Sequence, residues 1–278
     1  MVNALLDALV DDAALFPPGN APMPKAVADH RAYRDGPHAS LLGRFLCRGT
    51  RIRELSDHLA PDDAIRLGLI ADAGITGLPD ALAAIAAEPR LHLEVIEIPL
   101  PADVDQVAAA RQTLAALPAE PGLTCYVELP RVPGWRDALD EVAAAGRGAK
   151  LRTGGLVAAA FPTEREVADF ILACVQHGLT FKATAGLHNA VRHQDPVTGF
   201  EHHGFLNILL ATAAASGGRG DGAVLELLAE RDGERLAAEA RRISPEQAAA
   251  ARAHFAGYGS CSFGEPVEDL SKLGLLPS

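Results

Sequence analysis

The sequence predicts an α/β fold of (β/α)-barrel type, complete or incomplete, with six to eight parallel strands in a single domain over 1–278. Three observations carry this. Apolar β-like runs recur roughly every 25 to 30 residues, each followed by an Ala/Leu-rich stretch with helical spacing. A chain of 278 residues matches the ~250 residues that one barrel typically takes. The runs also carry charged side chains near their carboxyl ends, where barrel strands admit polar inward groups and strands covered on both faces stay apolar.

The opening segment MVNALLDALVDDAALF is apolar, but Asp7, Asp11 and Asp12 interrupt it and it has no basic leader. Neither secretion nor membrane spanning is expected, which points to a cytoplasmic location. Next comes LFPPGNAPMP at 15–24, with four prolines in ten residues, which can be neither helix nor central strand. A rigid loop is expected, serving as a plug across the amino-terminal bottom of the barrel; the alternative sets Phe16 over the mouth. Strands follow at 41–47, 66–72, 92–100, 122–130, 149–153 and 179–184, with helices between them at 77–87, 102–117, 134–145 and 163–177. Thr163 and Glu166 have the spacing of a capping box at the start of the last helix. Beyond Thr184 lie a long polar connection at 189–204, holding three of the ten histidines, and a helix near 204–216. Residues 217–278 read as a helical and loop cap, in which GYGSCSF at 257–263 is a late strand or a loop returning over the mouth.

Charge and cysteines narrow the class. A formal net charge of −11 disfavours nucleic acid and anionic membrane as partners. The four cysteines are scattered without a CxxC pair, so they read as reduced thiols. Cys261 has no base near it in sequence and is not expected to be a nucleophile. The Ala-rich stretches 236–240 and 246–256 offer small faces on which a second copy could pack, as in a homo-oligomer.

Functional side chains in βα proteins gather at the carboxyl ends of strands, with residues two apart on one face. Strand by strand this collects Arg44, Asp72, Glu97, Tyr126 with Glu128, Lys150 with Arg152, and Lys182 with Thr184. A lysine between Phe181 and Ala183 in a central strand must be paired or face a wet cavity, so Lys182 is expected to point into the site. The turns Thr153-Gly154-Gly155 and Ala185-Gly186 can leave backbone N–H groups free for an anion. His188 and His203 are candidate acid–base or substrate contacts, with Asn207 on the helical face of His203. No metal-ligand spacing and no cofactor motif is present, so neither group is expected.

The motifs KLRTGG and FKATAGLH resemble the strand-end lysine motifs of deoxyribose-phosphate aldolase and its class I relatives. The resemblance implies Lys182 as an imine-forming amine and Lys150 as the neighbouring cation that lowers its pKa. KATAGLH with HHG is also faintly similar to the lysine and histidine loops of quinolinate phosphoribosyltransferase. DDAALFPPGNAPM, LLGRF and HHGFLN, taken with those motifs, resemble segments of a bacterial protein group from which no activity carries over.

The leading expectation is a lyase or isomerase acting on a small anionic carbonyl compound. Lys182, Lys150, Glu128 and His188 would be its catalytic groups, and Arg44, Glu97, Arg152, Thr153, Gly154, Gly155, Thr184, Gly186, His203 and Asn207 its substrate contacts. The alternatives are a metal-dependent hydrolase or hydratase using histidine and carboxylate ligands, and a non-catalytic module binding an anionic ligand.

Overall fold

The computed structural model describes residues 2–276; residues 1, 277 and 278, at the ends of the expected domain, lie outside the described residues. Eight parallel strands close into a barrel. In chain order they are β1 (Val10–Asp12), β2 (Leu42–Arg48), β3 (Ile65–Ile70), β4 (Leu91–Pro99), β5 (Thr124–Glu128), β6 (Gly148–Arg152), β7 (Phe181–Thr184) and, after a two-stranded hairpin of β8 (His193–Gln194) and β9 (Glu201–His202), β10 (Phe255–Ser260). The first strand pairs with both β2 and β10, so the cylinder is complete and the incomplete alternative falls.

Two strands lie where the sequence reading saw none or only an option. β1 has three residues, too short for a period-2 pattern, and it hides in the opening segment, read as an apolar run interrupted by aspartates with no strand assigned. β10 comes from the GYGSCSF region, so 217–278 is more than a cap: its helices lead into the strand that closes the barrel. The proline loop follows β1 and therefore sits at the carboxyl-terminal mouth. Phe16 lies there under the Arg48 guanidinium at 4.9 Å, and the bottom-plug reading is wrong. The amino-terminal side is instead approached by α1 (Val2–Leu6), which precedes β1.

The outer layer contains α2 (Met23–Arg34), α3 (Ile52–Asp57), α4 (Gly74–Ala86), α5 (Gln106–Ala116), α6 (Trp135–Ala144), α7 (Glu164–Gln176), α8 (Phe205–Ser216), α9 (Gly220–Ala229), α10 (Gly233–Arg242), α11 (Pro245–His254) and α12 (Gly264–Lys272). The expected capping box on α7 is present, Thr163 accepting from the Glu166 N–H and Glu166 accepting from the Thr163 N–H. The apolar core lies between strands and helices. Phe181 on β7 stacks on Phe255 at 5.2 Å and meets Phe170 of α7 edge-on at 5.6 Å. One face of α10 and of α11 is turned into this layer, burying Leu236, Ala237, Ala240, Ala248 and Ala251, while Ala249, Ala250 and Ala253 of α11 stay exposed. Among the described residues no helix is long and apolar enough to cross a membrane.

Candidate active site

Strand parity builds the site. In FKAT of β7, Phe181 and Ala183 face the helices while Lys182 faces the lumen; in GAKLR of β6, Ala149 and Leu151 go outward and Lys150 inward. Glu128, Lys150 and Lys182 stand in register on three neighbouring strands. One level below, Tyr126 lies beside Gly148, where a Cβ would come within 2.4 Å of the ring; the glycine makes room for it.

The lumen holds a chain of alternating charges. Arg66 near the amino end of β3 pairs with Glu94 on β4 at 2.8 Å, and Glu94 accepts from Arg44 Nε at 3.0 Å. The Arg44 backbone N–H donates to Asp11 Oδ1 at 2.6 Å, and its guanidinium lies 3.8 Å from the same oxygen. Asp11 and Glu97 both accept from Lys182 Nζ. Glu97 also pairs with Lys150 at 2.6 Å, Lys150 with Glu128 at 2.9 Å, and Glu128 with Arg152 at 2.9 Å. Strands β7 and β4 are not neighbours, so the Lys182–Glu97 pair must cross the interior. The chain is most exposed at its two ends, Arg66 at 48% and Arg152, the last residue of β6, at 52%; Glu94 and Arg44 are partly exposed, and Asp11, Lys182, Glu97, Lys150 and Glu128 are buried.

This arrangement reverses an expectation. Burial pulls both lysines down, but Asp11 and Glu97 push Lys182 above the ordinary lysine value, and Glu97 and Glu128 do the same to Lys150. Lys182 is shifted up and not down, because its two carboxylate partners outweigh burial. Burial raises Glu97 and Glu128, yet their cations win: Lys150 and Lys182 bring Glu97 down to about 2, and Lys150 with Arg152 hold Glu128 below the carboxylate range. Of the two lysines, Lys150 is the one next to the mouth, sharing Glu128 with Arg152.

Above Arg152 the two glycine turns pack on each other. A Cβ on Gly154 would come within 2.9 Å of Gly186 Cα, and Gly186 is left-handed at φ 74°. The Thr153 hydroxyl donates to the carbonyls of Thr184 at 3.1 Å and Ala185 at 2.6 Å, so it ties the turns together and is not free for a ligand. Among the described residues, the backbone N–H groups of Gly154, Gly155 and Gly186 find no protein acceptor. Thr184 is half-buried beside them, level with Arg152.

Other expected residues lie elsewhere. His203 and Asn207 are fully buried behind the hairpin, where His203 Nε2 donates to Pro162 O at 2.8 Å and Asn207 clamps three backbone groups. Asp72 lies past the end of β3 and accepts from Thr50 Oγ1 at 2.6 Å and Thr50 N–H at 3.2 Å. His188 is at the mouth, but its partners are Glu265 and Cys261 and not the lysines. Asp11 was missed because β1 was missed. Glu94 and Arg66 were passed over because they lie low on their strands, away from the carboxyl ends.

Two clefts open outside the barrel: about 240 Å³ lined by Leu129, Trp135, Leu151 and Phe170, and about 680 Å³ lined by Asp72, Leu100, Val104 and Thr113. Neither is lined by a member of the charge chain. Among the described residues no three His, Cys, Asp or Glu side chains gather as metal ligands, so the metal-assisted alternative draws no support from the geometry. Comparison with protein-family models, curated proteins and solved structures returns no match to the chain.

Proposed function

We propose that the protein is an isomerase or lyase acting on a small anionic carbonyl compound through an enolate at the carboxyl-terminal mouth of the barrel. The observation that carries this reading is the upper end of the charge chain, where Glu128 lies 2.9 Å from both Lys150 and Arg152. A substrate carboxylate or phosphate fits Arg152 and the free N–H groups of Gly154, Gly155 and Gly186. As it draws the guanidinium away, Glu128 is released to take a proton from the carbon next to the carbonyl. The electron pair moves onto the carbonyl oxygen, which the Lys150 ammonium stabilises; in a hydroxycarbonyl compound the neighbouring hydroxyl passes its proton to that oxygen as Glu128 returns the first proton to the former carbonyl carbon, and in a lyase step Glu128 returns it to the leaving fragment.

Both lysines are held cationic, which favours the enolate route over the imine route suggested by the aldolase resemblance. Lys182 and Glu97 then act as positioning residues, with Glu97 bridging the two ammonium groups and so fixing Lys150. Four free cysteines suit an enzyme of a reducing, cytoplasmic setting.

The test is solvent exchange. A panel of short keto acids, hydroxyketones and sugar phosphates is incubated with the protein in deuterated water and followed by proton NMR. At least one compound should lose its α-proton signal, and Glu128→Gln should slow that loss by about 10² to 10⁴-fold, the range for a general base. Borohydride trapping that leaves a covalent mass on Lys150 or Lys182 would replace the enolate route with the imine. Binding without exchange by every compound would leave only an anion-binding module.

A further inference from the structure

Cys261 immediately follows β10 at the mouth and is the one partly exposed thiol of the four. Its Sγ lies 3.9 Å from both ring nitrogens of His188, which comes from the loop after the neighbouring strand β7. His188 Nδ1 is 2.8 Å from Glu265 Oε2, in the first turn of α12. The carboxylate therefore takes Nδ1 and leaves Nε2 for the sulfur, so the loop after β7 and the β10–α12 segment more than seventy residues on assemble a thiol, a base and an orienting acid. The other three cysteines are buried. Cys47 is pushed up to about 12 by burial, and Cys125 and Cys174 are raised by the same cause, so a dissolved reagent meets Cys261 alone. The proline loop roofs it: the Cβ position of Gly19 lies 3.1 Å from Cys261 Cβ.

We propose that Cys261 is a reversible S-thiolation site, a thiol served by His188 that exchanges with small-molecule disulfides at the barrel mouth. The thiol proton resides on His188, and the Cys261 thiolate paired with that imidazolium attacks one sulfur of the disulfide. A new S–S bond forms to Cys261 as the old one breaks, and His188 hands its proton to the departing thiolate. One thiol and one disulfide become another thiol and another disulfide, with no outside oxidant. With its fellow cysteines buried, the mixed disulfide persists until an external thiol reverses it. The group it adds stands under the Gly19 roof, beside the entrance.

This inference is independent of the lysine reading, because it is measured on sulfur. Consistent with the pairing, the Cys261 contact, opposed by burial and aided by Glu265, raises His188 to about 9. The native protein is treated with dipyridyl disulfide, thiopyridone release is recorded from pH 5 to 10, and the modified peptide is identified by mass. One thiol should react before unfolding, at Cys261, about tenfold faster at pH 6 than a free small thiol. His188→Gln should remove that acid-side advantage while the rates converge at pH 10; Glu265→Gln should remove part of it; dithiothreitol should restore the thiol. Cys261→Ser serves as the blank, with circular dichroism confirming the fold of each variant. Reaction only on unfolding, or an unchanged pH profile in His188→Gln, would overturn the proposal.

Discussion

Two buried polar clusters in this molecule look alike by composition and differ in what holds them. The charge chain in the lumen is made almost wholly of side chains answering side chains, carboxylate against ammonium or guanidinium, from Arg66 to Arg152, with the Arg44 N–H on Asp11 as its one backbone link. The cluster behind the hairpin is anchored mainly to backbone: Asn207 accepts from the Arg192 N–H at 2.8 Å and donates to Leu227 O and Glu230 O, and His203 donates to Pro162 O, with the Arg192 guanidinium, paired to Glu164 and Glu201, against the other His203 nitrogen. Carbonyls and amides are fixed by the fold, whereas a side-chain ion pair can open when a charged ligand offers a substitute. The second cluster braces the structure, and the first has an end at the mouth, Arg152, where an anion can enter.

The largest break in that contrast is Glu97→Gln. Glu97 is the shared partner of Lys150 and Lys182, so the amide leaves two buried ammonium groups short of charge. Removing one partner of a buried ion pair costs about 3 to 5 kcal/mol, a large share of the ~5 to 15 kcal/mol that stabilises a typical domain. Urea unfolding should show this loss, with the slope unchanged. A midpoint within experimental scatter of the parent would mean that the lumen chain does not exist as described.

Acid separates the clusters by where each gives way. Burial, aided by the Arg192 charge and opposed by Pro162, lowers His203 to about 4 from the ordinary 6.5, so the folded state prefers it neutral. A depressed histidine contributes stability that is full above 6.5 and is lost as pH falls towards 4. Glu97, lowered to about 2 from 4.5, contributes stability that is full above 4.5 and is lost as pH falls towards 2. A stability profile should therefore descend first through the hairpin cluster and then through the lumen, and His203→Gln should flatten the first descent alone. If the variant follows the parent between pH 6.5 and 4.5, His203 is not the group being titrated.

Much of the barrel was legible because parallel strands and helices leave strong periodic marks, and the lysine pair stood out because FKAT puts an ammonium where a central strand tolerates none unpaired. β1 was not legible: three residues, two of them aspartates, give no period, and their role depends on strands that arrive more than thirty residues later. Missing β1 hid Asp11, and without Asp11 Lys182 read as a free amine in search of a substrate. His203 and Asn207 misled for the opposite reason. Their types suit chemistry, but burial among backbone acceptors is a property of the packed helix α8 and the hairpin, not of the residues. Cys261 and His188 lie on separate strand ends, and their meeting follows only from β7 and β10 being neighbours.

The smallest effect on stability should fall on the residue that matters most to a ligand. Arg152 is half exposed, and an ion pair at that level of solvation contributes about 1 kcal/mol or less, so Arg152→Ala should barely move the unfolding midpoint. Glu128 keeps Lys150 as a partner at 2.9 Å and is not stranded. Anion binding is another matter, since the guanidinium is the half-exposed end of the chain and lies beside N–H groups without acceptors. Inorganic phosphate titrated against the protein in a thermal-shift assay should raise the melting temperature of the parent and leave Arg152→Ala nearly unmoved, with the gain shrinking as salt screens the charge. Equal shifts in both proteins would place the anion elsewhere and remove Arg152 from the mouth chemistry, while the lumen chain below it would stand unaffected.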